Sequence, residues 1–320
     1  MTEIYLIRHA EAEGNLFRRL QGQFDANITP AGLRQIRCLR ERFAKIRIDA
    51  VYSSHLCRTR TTAQAIYTPK GLPLRIDRRF CEIGAGVWED CAYGDLERLD
   101  AQSVYDFIHH PRTWHTEGSE PFLQYTGRFL EALDEAAAEN DGRTIAVFSH
   151  GMALGGLLLR LFFPEKETAG HPENTAVARL FYENGVYRLD YMNDASHLPP
   201  ELTTQERKRA VYPTGSGNLH FAPGGEGRRS AFYGDEAAGF SGFSRESAHS
   251  AVLTELHLEE KFRGYGMGAQ LCGDLVSTLR HIGVTTLRID GDPGAKRGFF
   301  ERIGFQSGVL DLTPRILEIG

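Results

Sequence analysis

Apolar positions in the first half of the chain fall in short continuous runs rather than in alternation. Residues 3 to 8, 49 to 53 and 143 to 148 are β-branched or aromatic stretches of the kind that form strands covered on both faces, and each leads toward a helix-like stretch. The order predicts an α/β fold. The first long helix is signalled at both ends of its opening turn: Thr29 can cap it and Pro30 suits its first position. Leu33, Ile36, Leu39 and Phe43 then recur at helical spacing, and Arg34, Arg37, Arg40 and Arg42 mostly decorate the wet side.

Residues 177 to 192 hold two alternating runs around Asn184-Gly185, a β-hairpin signal expected to close a first domain. Beyond them "SHLPPELTTQERK" and "PTGSGNLHFAPGGEGRRS" shift to linker and turn chemistry. A boundary near residue 197 follows, with domains over 1–197 and 198–320. The final third predicts a hairpin around Gly234 and Asp235, a strand over 251–258, a helix over about 266–281, a strand over 284–290 and a short helix near 295–302. Met267, Leu271, Leu275, Leu279 and Ile282 make a helical stripe, read as core packing. No internal repeat relates the two parts.

A chain of 320 residues exceeds the roughly 100 to 200 of a typical domain, which agrees with two domains. The formal charge of −5 argues against a nucleic-acid footprint. No apolar run approaches the roughly 18 residues of a membrane span, and Glu3 followed by a strand lacks the regions of a signal peptide. A cytoplasmic protein without membrane association is expected. Five cysteines, odd in number and without a C-x-x-C pair, fit reduced thiols.

The chemistry concentrates in "IYLIRHAEAEGN", residues 4 to 15, where an arginine and a histidine stand together as a strand gives way to a glycine-containing loop. Transferring a phosphoryl group requires a nucleophile in line with the leaving oxygen and donors around the equatorial oxygens, where transition-state charge spreads. A neutral imidazole, His9, supplies the first. Arg8 and Arg58, whose forks bind phosphate oxygens and do not titrate away, are the natural clamps. His150 in "IAVFSHGM" would donate to another oxygen, since a dianion favours its charged form. Glu82 in "FCEIGAGVWE" would protonate the leaving alkoxide if burial raises its pKa. Gly84 and Gly86 let backbone approach a ligand, and Trp88 is read as a packing residue. His109, His110 and His115 lie in a polar loop without metal-ligand spacing, so no metal is implied.

These segments occur jointly and in order, and with "LQGQFDANITPAGLRQ" and "VYSSHLCRTRTTAQAI" they resemble the signature of the histidine phosphatase superfamily, the phosphoglycerate-mutase-like fold. The resemblance covers about residues 1 to 195. It implies a three-layer α/β/α domain in which His9 becomes phosphohistidine, Arg8, Arg58 and His150 complete the phosphate pocket, and Glu82 is the proton donor. It further implies that Asn15, Gln21 and Gly22 touch phosphate or substrate, with Glu11 on the acidic position beside the motif as an orienter. Departures are Ala10 for the usual glycine, Ala12 for the usual hydroxyl residue, and "TEGSEPF" (residues 116 to 122) for a Gly-Glu-Ser turn. Mutases of this fold resemble one another in an arginine- and tyrosine-bearing stretch after the acid. Here "IGAGVWEDCAYGD" carries no basic residue before Arg98, so hydrolysis of a small phosphorylated metabolite is placed ahead of mutase activity, a phospho-ligand sensor being the non-enzymatic rival.

In the last third, Arg263-Gly264-Tyr265-Gly266-Met267-Gly268 lies between a strand and a helix, so backbone N–H groups and a helix N-terminus face one spot. This segment and "AKRGFFERIGF" (residues 295 to 305) resemble the GNAT acetyltransferase family over about residues 230 to 310. The resemblance implies a smaller GNAT-like α/β domain, with Arg263, Gly264, Gly266 and Gly268 as acetyl-CoA contacts. Phe300 stands where a tyrosine acid is common, Asp292 where an asparagine is common, and Glu255 is a candidate base. A reduced form of that family's first two helices would fall in residues 198 to 228. The phosphatase part calls for no cofactor, and acetyl-CoA is the cofactor to consider for the rest.

Overall fold

A computed structural model describes residues 1–204 and 216–319. The apolar runs of the first half become the centre of a six-stranded sheet in the order β3-β2-β4-β1-β5-β6. Its strands are β1 (Thr2–Arg8), β2 (Ala50–Ser53), β3 (Leu74–Ile76), β4 (Thr144–Ser149), β5 (Val177–Glu183) and β6 (Val186–Asp194). The first four pair in parallel and the hairpin β5–β6 adds antiparallel to β1. Asn184 (φ 52°) and Gly185 (φ 81°) make the hairpin turn, which needs positive φ at both positions.

The strand period of two sorts side chains to opposite faces. Ile4, Leu6, Ile145 and Val147 pack under α5 (Phe122–Glu139) and α6 (Gly151–Phe162). Tyr5, Ile7, Ala146 and Phe148 pack under α2 (Pro30–Phe43) and α3 (Cys57–Lys70). Thr29 Oγ1 accepts from Gly32 N at 3.0 Å and so caps α2 as expected. Arg42 departs from the expected wet face: it donates to the Asp194 carboxylate at 2.7 Å and to the Tyr191 hydroxyl, tying α2 to the end of β6. Between sheet and rim lie α1 (Glu13–Phe17) and α4 (Tyr93–His109); His109 is thus helical rather than in a loop.

The last third forms a second six-stranded sheet, ordered β12-β11-β10-β9-β8-β7. It comprises β7 (His220–Pro223), β8 (Arg228–Tyr233), β9 (Glu236–Arg245), β10 (Ser250–Leu258), β11 (Thr286–Ile289) and β12 (Val309–Asp311), with α7 (Met267–His281) and α8 (Arg297–Ile303). All its pairings are antiparallel except β10 with β11. Leu275 and Leu279 of α7 pack with Ala251, Leu253 and Leu287. The predicted stripe ends one step early, because the helix stops at His281 and Ile282 is 41 % exposed. Of the segment expected to hold reduced helices, the described residues contain the single turn Pro200–Leu202 and β7; residues 205–215 lie outside the described residues.

The two halves trade pieces. Phe17 of α1 and its neighbour Leu16 sit in the core of the second sheet, and Leu317 and Ile319 from the chain's end pack on the α2–α3 side of the first. Gly273 on α7 lies flush against Phe17: a Cβ there would stand 2.3 Å from the Phe17 Cβ. All five cysteines are free thiols. Among the described residues no helix is long and apolar enough to cross a membrane.

Candidate active site

The parallel strands β1, β4 and β2 end side by side, and the site stands where their chains leave the sheet. β1 delivers Arg8 and then His9; β4 delivers His150, which begins α6; the turn after β2 leads into α3 and Arg58. Glu82 arrives on the loop after β3. His9, Arg8, Arg58, Glu82, Asn15, Gln21 and Gly22 line one cavity of about 80 Å3.

His9 is 3 % exposed, and its Nδ1 lies 2.7 Å from the Ala10 carbonyl oxygen, which can only accept. Nδ1 therefore carries the proton and Nε2 the lone pair. Burial, then the charges of Arg58 and Arg8, hold the imidazole well below the usual histidine range, so it is neutral at pH 7. The backbone on either side is pinned by Thr62 Oγ1, which accepts from Ala10 N at 3.0 Å, and by Asn174 Nδ2, which donates to the His9 carbonyl at 3.0 Å.

Arg58 is 1 % exposed; Nη1 donates to the Phe24 carbonyl and Nη2 to the Gly22 carbonyl at 2.6 Å, which fixes the fork and the loop at once. Arg8 donates through Nη1 to the Pro172 carbonyl, and its buried Nε has no hydrogen-bond partner. A buried guanidinium nitrogen left open is costly unless a ligand accepts from it. Gly151 opens α6 beside it, where a Cβ would come within 3.2 Å of that Nε. Asn15, which lines the cavity, turns its Oδ1 back to Ala12 N at 3.0 Å and so caps α1 in place of the missing hydroxyl at position 12.

Two residues sit differently from the expectation. His150 is fully buried and does not line the cavity; its Nδ1 accepts from Arg58 Nε at 3.2 Å and its Nε2 donates to Ser54 Oγ at 2.8 Å. It stands behind Arg58 as a neutral ring, with burial and Arg58 lowering its pKa. Glu11 also faces away from this cavity: its carboxylate accepts from the Thr29 hydroxyl at 2.7 Å, and Gln35 Oε1 accepts from its N–H.

Glu82 is gripped at the N-terminus of α6. Oε1 accepts from Ala153 N at 2.7 Å and from Ile83 N, and Oε2 from Met152 N at 3.1 Å. Burial raises its pKa while these three bonds pull it down, and burial prevails. The loop is braced from behind. Arg128 donates to the Glu82 carbonyl at 2.7 Å and to Glu120, whose Oε2 accepts from Gly84 N at 2.7 Å. "TEGSEPF" thus supports the acid loop rather than lining the cavity, and Trp88 packs with Phe107 and Trp114.

Sequence reasoning missed Arg18, Arg19, Tyr93, Phe107, Met152 and His171, which also line the cavity. A larger cleft of about 760 Å3 lies between the two halves. Arg263, Gly264, Gly266 and Gly268 face it, together with Leu256, Phe299 and Arg302 from the second sheet's side and Glu11, Pro30 and Arg34 from the first. Gly264 (φ 86°) and Gly266 (φ 75°) take backbone conformations that side chains resist. Among the described residues no group of three His, Cys, Asp or Glu could hold a metal ion.

The model of the histidine phosphatase superfamily (branch 1) matches residues 4–195. The chain belongs to that superfamily. Its chemistry requires neither metal nor cofactor. The chain is similar to two curated relatives named probable phosphoglycerate mutase GpmB. The one from Serratia proteamaculans (strain 568) is 34 % identical over 158 residues, 49 % of this chain and 74 % of the relative. The one from Yersinia pestis (strain Pestoides F) is 33 % identical over 215 residues, 65 % of this chain and 100 % of the relative. Among solved structures, Bacillus stearothermophilus YhfR superposes with a TM-score of 0.59 at 26 % identity, covering 62 % of this chain and 99 % of its own. A phosphoserine phosphatase mutant from Entamoeba histolytica, in complex with phosphoserine, has a TM-score of 0.54 at 26 % identity over 62 % of this chain and 100 % of its own. A mycobacterial glucosyl-3-phosphoglycerate phosphatase in complex with VO3 shares the fold, with a TM-score of 0.56 at 24 % identity over 60 % of this chain and 98 % of its own. The superfamily portion is the α/β half built on the first sheet, and the coarse activity follows: phosphoryl chemistry of the phosphatase and phosphoglycerate-mutase kind.

Proposed function

We propose that this chain hydrolyses a small phosphomonoester through a covalent phosphohistidine on His9. His9 Nε2 attacks phosphorus while the ester P–O bond breaks, with the spreading negative charge met by Arg8 Nε, the uncommitted part of the Arg58 fork and the Asn15 amide. The Glu82 carboxyl gives its proton to the leaving alkoxide. Water then attacks the phosphohistidine, Glu82 takes a proton from that water, and inorganic phosphate leaves. His150 fixes Arg58 by accepting from its Nε, a role that requires the neutral ring. The observation that carries this reading is a neutral, tautomer-locked imidazole in one small cavity with an open arginine nitrogen.

Hydrolysis is favoured over transfer because no basic side chain follows Glu82 before Arg98, where a mutase would hold a second acid. Rapid-quench labelling with a 32P-ester tests the reading without added metal. An acid-labile adduct that forms and decays, and is absent in His9→Ala, is expected; binding without an adduct would favour a phospho-ligand sensor, and turnover surviving His9→Ala would end the assignment.

A second reading concerns the C-terminal half, as a GNAT-like module over 198–320 that binds acetyl-CoA at the glycine turn. What supports it is the 760 Å3 cleft into which Arg263, Gly264, Gly266 and Gly268 face. Acyl transfer has less support, because Phe300 lies in the apolar core and Glu255 is exposed beside Arg228. Calorimetry with acetyl-CoA separates a binding module from a scaffold.

A further inference from the structure

The phosphate pocket and the interdomain cleft share two side chains, Asn15 and Arg18. Asn15 belongs to the phosphate constellation; Arg18 has no part in it. Arg18 ends α1 in the left-handed conformation, φ 57°, with its N–H returned to the Gly14 carbonyl. That conformation is disfavoured for a residue with a side chain and persists only where the surroundings hold it. What holds it comes from both halves of the chain, the Arg18 carbonyl accepting from Tyr93 N at 3.0 Å. Arg18 Nε donates to Asn218 Oδ1 at 2.9 Å, and its guanidinium lies 5.1 Å from the centre of the Tyr93 ring. Asn218 Nδ2 in turn donates to Glu97 at 2.7 Å, which sets the amide so that its oxygen faces the arginine.

The neighbouring Arg19 has the opposite fate. It pairs with Asp90 at 2.9 Å and lies 3.8 Å from Asp274, so its charge is spent inside the protein. Arg18 makes no ion pair with an acidic residue among the described residues; Glu97 is one amide removed. A half-buried guanidinium without a counter-ion among the described residues, presented in a phosphate pocket, is matched by an anion that arrives with the ligand. Arg18, Tyr93 and Phe107 line the same small pocket as His9, Arg8 and Arg58, so an ester with its phosphorus at His9 brings its remaining groups against them.

Resting on the phosphatase reading above, we infer that Arg18 is a second-anion subsite. The substrate is a phosphomonoester bearing a further acidic group, carboxylate or phosphate, and Asn218 of the C-terminal half is the positioning residue that aims Arg18 at it.

The test is the ratio of kcat/KM within two ester pairs on the full chain: 3-phosphoglycerate against glycerol 3-phosphate, which differ in a carboxylate, and fructose 1,6-bisphosphate against fructose 6-phosphate, which differ in a phosphate. Wild type is expected to prefer the more acidic member of at least one pair by tenfold or more, mostly through KM, as one charge-assisted hydrogen-bonded pair implies. Arg18→Met collapses that ratio toward one, Arg18→Lys restores part of it, and Asn218→Ala lowers it by less than Arg18→Met. A loss common to both members divides out, and urea midpoints check that each variant folds. The same ratio in wild type and Arg18→Met overturns the subsite, as does a wild type that turns over a chromogenic ester while discriminating in neither pair. No turnover even of the chromogenic ester removes the phosphatase reading, and the subsite with it.

Discussion

Arg280→Met is the substitution that most directly probes how the C-terminal half holds the phosphatase wall. Arg280 Nη2 on α7 donates to Glu13 Oε2 at 2.7 Å, with side-chain exposures of 13 % and 6 %. Burial raises the Glu13 carboxyl above the usual range, and Arg280 is the first group opposing it. Removing the arginine leaves Glu13 with Asn27 N at 3.3 Å as its remaining donor, and stranding one member of a buried pair costs about 3 to 5 kcal/mol. The lower end, about 3 kcal/mol, applies because Arg280 keeps one edge wet. A raised carboxyl pKa means that the folded state binds more protons than the unfolded one between the two pKa values, so stability falls as pH rises through that window. The variant should therefore lose most stability at pH 8 and recover toward wild type near pH 5. Urea unfolding at both pH values measures this. Glu13→Gln combined with Arg280→Met should recover most of the loss, since no charge is then stranded. A loss that is the same at pH 5 and pH 8, or a double variant no better than the single one, would refute the reasoning. Because α1 carries Asn15, KM for a phosphate ester should rise in the single variant while the His9 adduct still forms.

Glu82→Gln keeps the side chain's shape but removes the proton, so kcat/KM for an alkyl phosphate, which reports formation of the phosphohistidine, should fall by about 100-fold to 10,000-fold while kcat/KM for a chromogenic ester with a stable leaving group loses far less. In wild type the alkyl ester's kcat should decline as pH rises through the raised Glu82 pKa, because the acid is lost; a chromogenic ester showing the same limb would contradict the proton-donor role. Gly273→Ala should cost about 1 to 3 kcal/mol in urea denaturation, since its Cβ would stand 2.3 Å from the Phe17 Cβ in a closed core. An unchanged midpoint would show that α1 and α7 are not in firm contact.

The parts of the fold that were legible share one property: their burial is decided by neighbours close in sequence. Ile4, Leu6, Ile145 and Val147 read as buried strands because a parallel sheet covers both faces, whatever helix does the covering. Thr29, Pro30 and the Asn184-Gly185 turn act within a few residues of themselves. Arg42 and Ile282 misled because helical spacing reports which face a residue lies on, not whether another element reaches that face or whether the helix lasts that long. The loop that bears His171 and Asn174 has no periodicity at all, so neither the residue lining the cavity nor the one bracing the His9 carbonyl left a signal.

The site divides along the same line. Each of His9, Arg8, Arg58 and Glu82 is a weak signal alone; their joint occurrence in order made them candidates, and the fold brings all four to one cavity. Selectivity depends instead on which charges remain unspent, and that is settled by partners far away in the chain. Arg18 and Arg19 are adjacent and chemically identical, yet Asp90 and Asp274 neutralise the second while Asn218, a neutral amide from about 200 residues further on, faces the first. An exchange at Asn218 alone, Asn218→Asp, would hand Arg18 a counter-ion without touching either arginine and would leave Arg19 paired with Asp90. The acid-bearing member of each ester pair should then lose its advantage in KM, whereas a preference that survives the exchange would place the discriminating charge elsewhere on the rim.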